Sequence, residues 1–525
     1  MPQRDAWPPE ELQEVLPAMA RWSAWYSGDT AKLTTLYAQD SRRTSTRTMG
    51  ILGRFRRWFW GQAQEEATRP QTKIHVPVAA DLCQASSDLL LGEPPTIIVD
   101  DPKTQERLDL ILGEGAHNVL ASAAEVGAAL GGVYLRVTWD QSLEAHPFIT
   151  RVDADRAIPT FRWGRLAAVT FWATVRRDGG TVWRHLERHE VDAHGIGVIR
   201  HELYQGTDST LGRVVPLTEA SATAGLAEVV DEDSIVSTET PGLDVAYIPN
   251  QLPNRIWREH PLGANLGRSD LDGLEPLLDQ LDEAWSSWMR DLRIGKARIV
   301  AAQSALEDNG PGQGSTLDLD REVYEAINTP PSAMDSDGGL PIQAVQFQIR
   351  VQEHQETVSA LLSQILRSAG YSAQTFGMDA AGGAMTATEV QSRERRSFMT
   401  RDRKIRAWKG ALATLAVKAL AIDRAVFKSA ADPSLPVSVQ FGDSVQESME
   451  ALARTAQLLA QAQAASVKTR VQMVHPDWSD PEVDEEVARI QEEAGEPAPD
   501  PEFLGAFGSG LPTAGEPDEE PTGEE

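Results

Sequence analysis

The sequence predicts an α+β chain whose first half carries a mainly antiparallel sheet and whose second half is built from long helices. Three observations carry this. An Asp-Gly-Gly turn at 178–180 joins two runs of alternating apolar and polar residues, a hairpin pattern. Two stretches, 270–296 and 346–369, space their apolar residues by three and four, as helices packed side by side require. From 386 to about 428 helical periodicity runs without a break.

Taken in order, residues 1–35 predict an amphipathic helical stretch with Leu12, Val15, Leu16, Met19, Trp22 and Trp25 on one face, so both tryptophans need a surface to dock on. Residues 42–60 mix Arg42, Arg43, Arg47, Arg54, Arg56 and Arg57 with four aromatic residues. That mixture can touch phosphates, but an arm packed on a neighbouring subunit with its arginines in water is favoured, since charge runs are usually solvated faces.

A helix through Ala79, Leu82, Cys83, Ser86 and Leu90 stops at Gly92, ahead of Pro94 and Pro95, and TIIVD at 96–100 reads as a strand. One helix is expected over about 105–128, then strands VYLRVTW, FITRVD, AAVTFWATVRR, TVWRHLERHEV and GIGVIRHELY. In the first helical rod, Leu271, Leu274, Leu278, Leu281, Trp285, Trp288 and Leu292 form the seam. Ser269 with Asp272 suggests a capping box at its start, and Pro276 a break in its first turn. About 25 residues give a rod of roughly 35–40 Å. The second rod repeats the spacing through Phe347, Val351, His354, Val358, Leu361 and Ile365.

Residues 297–345 between the rods are rich in turns, and 370–385 are small, glycine-rich and uncharged except for Asp379, a composition that favours mobility. The long helix opens at a Thr386/Glu389 capping box; from Arg393 to Lys409 it is net +6, and then an apolar stripe runs through Trp408, Leu412, Leu415, Ala419 and Ile422. Alanine-rich helices follow over 445–467 and from Asp480 to Gly495, and 496–525 is an acidic, proline-rich tail expected to be disordered.

Composition narrows the function. A chain of 525 residues is expected to hold two to four packed units. Its net charge of −29 argues against a protein that grips nucleic acid by neutralising phosphates, though not against one that lets DNA slide; −14 of that charge falls in 481–525. One cysteine, Cys83, closes no internal disulfide. No apolar run approaches the roughly 20 residues that span a bilayer, and the N-terminal stretch lacks the basic-then-apolar pattern of an export signal.

Catalytic patterns are absent: neither a GxxxxGK[ST] phosphate loop nor a GxSxG elbow occurs. His185 and His189, followed by His194 and His201, could suggest a metal pair, but on a strand the first two lie about 13 Å apart, so no metal is predicted. His354 on the second rod's seam reads as a core or interface histidine, and Asp153 with Asp155 as a polar turn.

The order of these parts, and the stretches IHVPVAADLCQASSDLLLGEPPTI, GRSDLDGLEPLLDQLDEAWSSWMRDLRIGKARI and GAMTATEVQSRERRSFMTRDRKIRAWKGAL, resembles the portal proteins of long-tailed phages of Gram-positive hosts. The resemblance implies an N-terminal arm (1–71), an α+β wing (72–269), a stem of two helices (270–296 and 346–369), a small α/β clip (297–345), a tunnel loop (370–385), a long wing helix and strand (386–439), a helical crown (440–495) and an acidic tail (496–525). It implies a structural protein without enzymatic activity or cofactor: a dodecameric ring at one capsid vertex of the virion, made in the host cytoplasm, passing double-stranded DNA. The partners implied are the terminase large subunit, the head-tail adaptor and the major capsid and scaffold proteins, with no membrane.

The tunnel loop would present Ser372, Gln374, Thr375, Phe376, Met378 and Asp379 to DNA; Arg393, Arg395, Arg396, Arg401, Arg403 and Lys404 would meet DNA or acids of a neighbouring subunit. Stem packing is assigned to Leu274, Leu278, Leu281, Trp285, Trp288, Val358, Leu361 and Ile365. The competing expectations are a DNA-processing enzyme, such as a nuclease or a terminase relative, and a capsid or scaffold shell protein.

Overall fold

The amphipathic N-terminal stretch finds its surface within its own chain. In the computed structural model, which describes residues 6–45, 73–294, 298–301, 307–308, 315–316, 342–345, 350–378, 387–442, 449–475, 478 and 480–495, helices α1 (Val15–Ser27) and α2 (Thr30–Ser45) lie against the main body. Leu12, Val15, Met19, Trp22 and Trp25 are all buried. The stretch to Tyr37 therefore packs in the core of its own chain, and both indoles find their docking surface there. The arginine-rich stretch from Arg47 to Trp60 lies outside the described residues.

Helix α3 (Val78–Leu91) stops at Gly92 as expected, but strand β1 (Thr96–Ile98) finds its partner in β15 (Ser438–Gln440), more than three hundred residues later. The single helix expected over 105–128 is two, α4 (Pro102–Ile111) and α5 (Glu114–Leu130). Asp101 caps the first, accepting from Thr104 N at 2.9 Å, and the chain breaks at Leu112 and Gly113. A glycine there weakens continuation, while the apolar residues on both sides keep one phase.

The sheet is antiparallel throughout its pairings. Strands β2 (Gly132–Thr138), β3 (Phe148–Asp153) and β10 (Val245–Pro249) pair in the order β10-β2-β3. A second sheet runs β4 (Ala157–Arg162), β5 (Arg165–Asp178), β6 (Thr181–Val191), β7 (Ile196–Gly206) and β8 (Arg213–Val215), with β9 (Ile235–Pro241) also on β7. The predicted hairpin closes with Asp178 opposite Thr181 and Gly179 at φ +57°, which a side chain would resist.

Helix α6 (Glu275–Ile294) starts five residues later than the rod expected from 270, with Pro276 in its first turn where no hydrogen bond is lost. Ser269 makes no capping box: its hydroxyl donates to Ala129 O at 2.6 Å, and Asp270 N donates to Ala128 O at 2.9 Å. The segment 267–270 thus serves the orphan carbonyls ending α5 instead of the start of α6. Here Gly131 and Gly267 approach so closely that a Cβ on Gly267 would lie 2.1 Å from Gly131 O. At 20 residues α6 is about 30 Å long, shorter than expected.

Strands β11 (Arg298–Ala301) and β14 (Ile342–Val345) pair antiparallel, as do the short β12 (Glu307–Asp308) and β13 (Ser315–Thr316). Most of 297–345, including the expected DREVYEAI segment, lies outside the described residues.

Helix α7 (Val351–Ala369) packs alongside α6. Leu274, Leu278, Leu281, Val358 and Ile365 are buried in one core, with Trp285, Trp288 and Leu361 half-buried against it. Asp291 holds the far ends together, accepting from Arg350 at 3.0 Å and lying 2.9 Å from His354 Nε2.

The 40-residue helix α8 (Ala387–Val426) is about 60 Å long and buries Trp408, Leu412, Leu415, Ala419 and Ile422, the predicted stripe, against β2, α4 and α5. Arg107 grips Asp423 bidentately at 2.6 and 2.8 Å. These elements form one compact unit, Met1–Gly442; the second, Asp443–Glu525, holds α9 (Met449–Gln461), α10 (Val467–Val474) and α11 (Asp480–Gly495), with Lys468 paired to Asp484 at 2.6 Å. The Thr386/Glu389 box and the tail lie outside the described residues. No described helix is long and apolar enough to cross a membrane.

Candidate functional site

Helix α7 ends at Gly370, in the left-handed conformation (φ +97°). Thr400 Oγ1 of α8 donates to Gly370 O at 2.7 Å, Ser372 N donates to Ser397 Oγ at 2.9 Å, and Thr375 Oγ1 lies 2.8 Å from the same hydroxyl. Gln374 and Phe376 share a short 3₁₀ turn, and Phe376 and Met378 pack partly on the core. The first nine residues of the expected loop, 370–378, are thus stapled to the long helix, a correction to the mobile loop that composition suggests. Hydroxyls hidden in α8 face these small residues, and a packed segment needs small residues as much as a loose one does. Asp379 and the rest of the segment lie outside the described residues.

One turn along α8, Lys404 is 2% exposed. Its ammonium donates to Asp270 Oδ2 at 2.6 Å, Ser86 Oγ at 2.5 Å and Tyr371 Oη at 3.1 Å. Tyr371 in turn donates to Asp270 Oδ2 at 2.8 Å, while the amides of Asn250 and Gln251 each reach Oδ1 at 2.7 Å. Burial, and then the Asp270 charge, push the Tyr371 phenol well above its ordinary range. The cluster satisfies both carboxylate oxygens and joins α3, the approach to α6, the end of α7 and α8 at one point.

Of the six basic residues expected to meet DNA or a neighbour, two therefore do neither. Lys404 is internal, and Arg401 donates to Leu89 O at 2.6 Å and to Gly442 O, both within the chain. A buried cation needs compensation: Lys404 has its carboxylate in Asp270, and Arg401 donates to two backbone carbonyls. Arg395, Arg396 and Arg403 are exposed; the side chain of Arg393 is outside the described set.

Ahead of α6, Asp272 is half-buried, and burial first, then Glu275, raise its acid to about 6. The folded state therefore holds this proton more tightly than the unfolded chain, whose carboxyl titrates near 4, so stability falls as pH rises from about 4 through about 6. Asp272→Asn is expected to raise the melting temperature at pH 8 and leave it unchanged at pH 4, measured by calorimetry.

The sheet of strands β4 to β9 carries a second polar cluster. His189 is buried between Asp244 Oδ2 (2.8 Å) and Glu187 Oε1 (2.7 Å); burial opposes its charge, but the two carboxylates outweigh it and raise it to about 9. Burial would raise Glu187, yet His189 and Arg136 hold it well below the carboxylate range. Hairpin register sets Glu187 opposite His201, a pairing the sequence could have yielded by folding 181–191 back on 196–206 about the 192–195 turn.

His185 meets His201, not His189, with ring nitrogens 3.1 Å apart, ring centres 5.3 Å apart and planes 8° apart. Those nitrogens lie almost on the line joining the ring centres, so one imidazole donates its N–H to the other. Burial lowers both, His201 to about 4. His185, Glu187 and His201 cluster as metal ligands can, with ligand atoms within 4.8 Å of one another; here the two imidazoles bond each other and Glu187 Oε1 is bonded by Arg136 and His189.

No curated protein matches the chain. Solved chains that it resembles include one from the virion of a native gene transfer agent particle (16% identity, covering 76% of this chain and 89% of that one, TM-score 0.40). Two others come from the neck of such particles. The empty particle, computed with C6 symmetry, gives 14% identity, 76% and 90% coverage and a TM-score of 0.40. The native particle, computed with C12 symmetry, gives 14%, 76% and 90%, and 0.35. The family model described as "Phage portal protein, SPP1 Gp6-like" matches residues 7–500. With nearly the whole length matched, this chain belongs to the SPP1 Gp6-like family of phage portal proteins.

Proposed function

We propose that the subunit assembles with eleven copies of itself into a ring at one capsid vertex, the channel through which double-stranded DNA is packaged and ejected. The observation that carries this reading is the family match over residues 7–500. Support comes from α6 and α7, which lie antiparallel side by side as staves of a wall can, and from the net charge of −29, which discourages lasting phosphate contacts along a passage.

On this reading 72–269 is the wing, α6 and α7 the stem, and 297–345 the clip on which the terminase large subunit and later the head-tail adaptor dock; 440–495 is the crown, and capsid and scaffold proteins surround the ring. The protein does no chemistry of its own. The channel-facing role belongs to the segment beginning at Asp379, with Arg395, Arg396 and Arg403 available to DNA or to acids of the adjacent subunit.

The test removes 379–385 and leaves the stapled 370–378 in place. Ring-shaped particles in electron micrographs are expected to persist while DNA packaging is largely abolished. Unimpaired packaging would take this segment off the channel wall, and shells or DNA cleavage in place of rings would favour the capsid or nuclease reading.

A further inference from the structure

The turn between β4 and β5 has two residues, with Arg162 opposite Arg165. Both central residues have positive φ, Trp163 at +53° and Gly164 at +74°. This turn favours Asn-Gly or Asp-Gly, because a bulky side chain is strained in the left-handed region. Trp163 is nevertheless 96% exposed and flanked by two exposed arginines with no ion-pair partner among the described residues. Within its own chain an indole held there returns nothing for the strain.

Elsewhere on the same unit, where α4 breaks from α5 and the chain approaches β3, lies an open cavity of about 590 Å³. Leu110, Ala116, Val119, Leu143 and Phe148 line it, with Glu144 beside them. Leu143 is 70% exposed and Leu110 47%, so apolar surface faces water here as well.

We propose that Trp163 of one subunit inserts into this cavity of the next copy in the ring, with Arg162 and Arg165 meeting Glu144 at its edge. A closed ring repeats one heterologous contact, so every copy must carry a donor and a different acceptor. The protruding indole with two cations and the apolar hollow with the Glu144 carboxylate at its edge are complementary in character and sign. An aromatic anchor ringed by charge is also how interface energy is commonly concentrated. The inference rests on the ring reading above.

Trp163→Cys and Leu143→Cys test it, since the native Cys83 is buried. Mixing the two single variants is expected to give disulfide-linked dimers, and the double variant a ladder of higher oligomers. Rings in micrographs without these cross-links overturn the inference and leave the ring reading standing; absence of rings from the unmodified protein overturns that reading itself. Trp163→Asn separates assembly from folding: asparagine suits the left-handed turn, so the monomer is expected to melt no lower while ring formation needs at least tenfold more protein. Unchanged assembly of this variant would also refute the contact.

Discussion

Lys404→Met is expected to lower the unfolding free energy by about 3–5 kcal/mol, read as a shift in the urea midpoint of the isolated subunit. The ammonium has been withdrawn from water, and its removal leaves Asp270 buried with its charge uncompensated on Oδ2. Tyr371 and the amides of Asn250 and Gln251 continue to donate to Asp270, so the loss falls short of a fully orphaned carboxylate. Adding Asp270→Asn to Lys404→Met should recover part of the stability, since the isolated charge is the main cost. A shift below about 1 kcal/mol would mean that the cluster relaxes around the change or admits water.

Asp282→Ala should be nearly as damaging, with its effect concentrated at the N-terminus. This carboxylate on α6 is buried; it accepts from Tyr37 Oη at 2.6 Å and Val76 N at 2.9 Å, and lies 3.0 Å from His75 Nδ1. Without it, donors on both sides of the stretch 46–72 lose their acceptor, at about 1–3 kcal/mol for each one left buried. The expected sign is rapid proteolysis between α2 and α3 while α8 stays protected, followed by mass spectrometry of the fragments. Asp282→Asn keeps one acceptor oxygen and should fall between the two.

Local regularities were legible in the sequence. Gly92 with the prolines beyond it ended α3, the Asp-Gly-Gly turn placed the β5-β6 hairpin, and the apolar steps through Leu278, Leu281, Val358 and Ile365 identified two helices that do pack together. The misses share a cause. Arg401 and Lys404 looked like solvated positives because their partners, Leu89 O, Ser86 and Asp270, are 312, 318 and 134 residues away. Ser269 spaced three before Asp272 looked like a cap because nothing local reveals that the end of α5 would claim its hydroxyl. Periodicity reports which face is apolar; it does not report which polar group across the fold answers a buried charge.

The pairing of β1 with β15 bears on how the subunit is made. Strand 96–98 emerges from the ribosome some three hundred and forty residues ahead of 438–440, and at about 5–20 residues per second this edge waits on the order of tens of seconds for its partner. Lys404 and the Trp408–Ile422 stripe arrive almost as late, so the main unit closes only once its last strand has been made. A chain terminated early exposes an unsealed interior and is a natural target for chaperones and proteases, so only finished subunits are left for the ring.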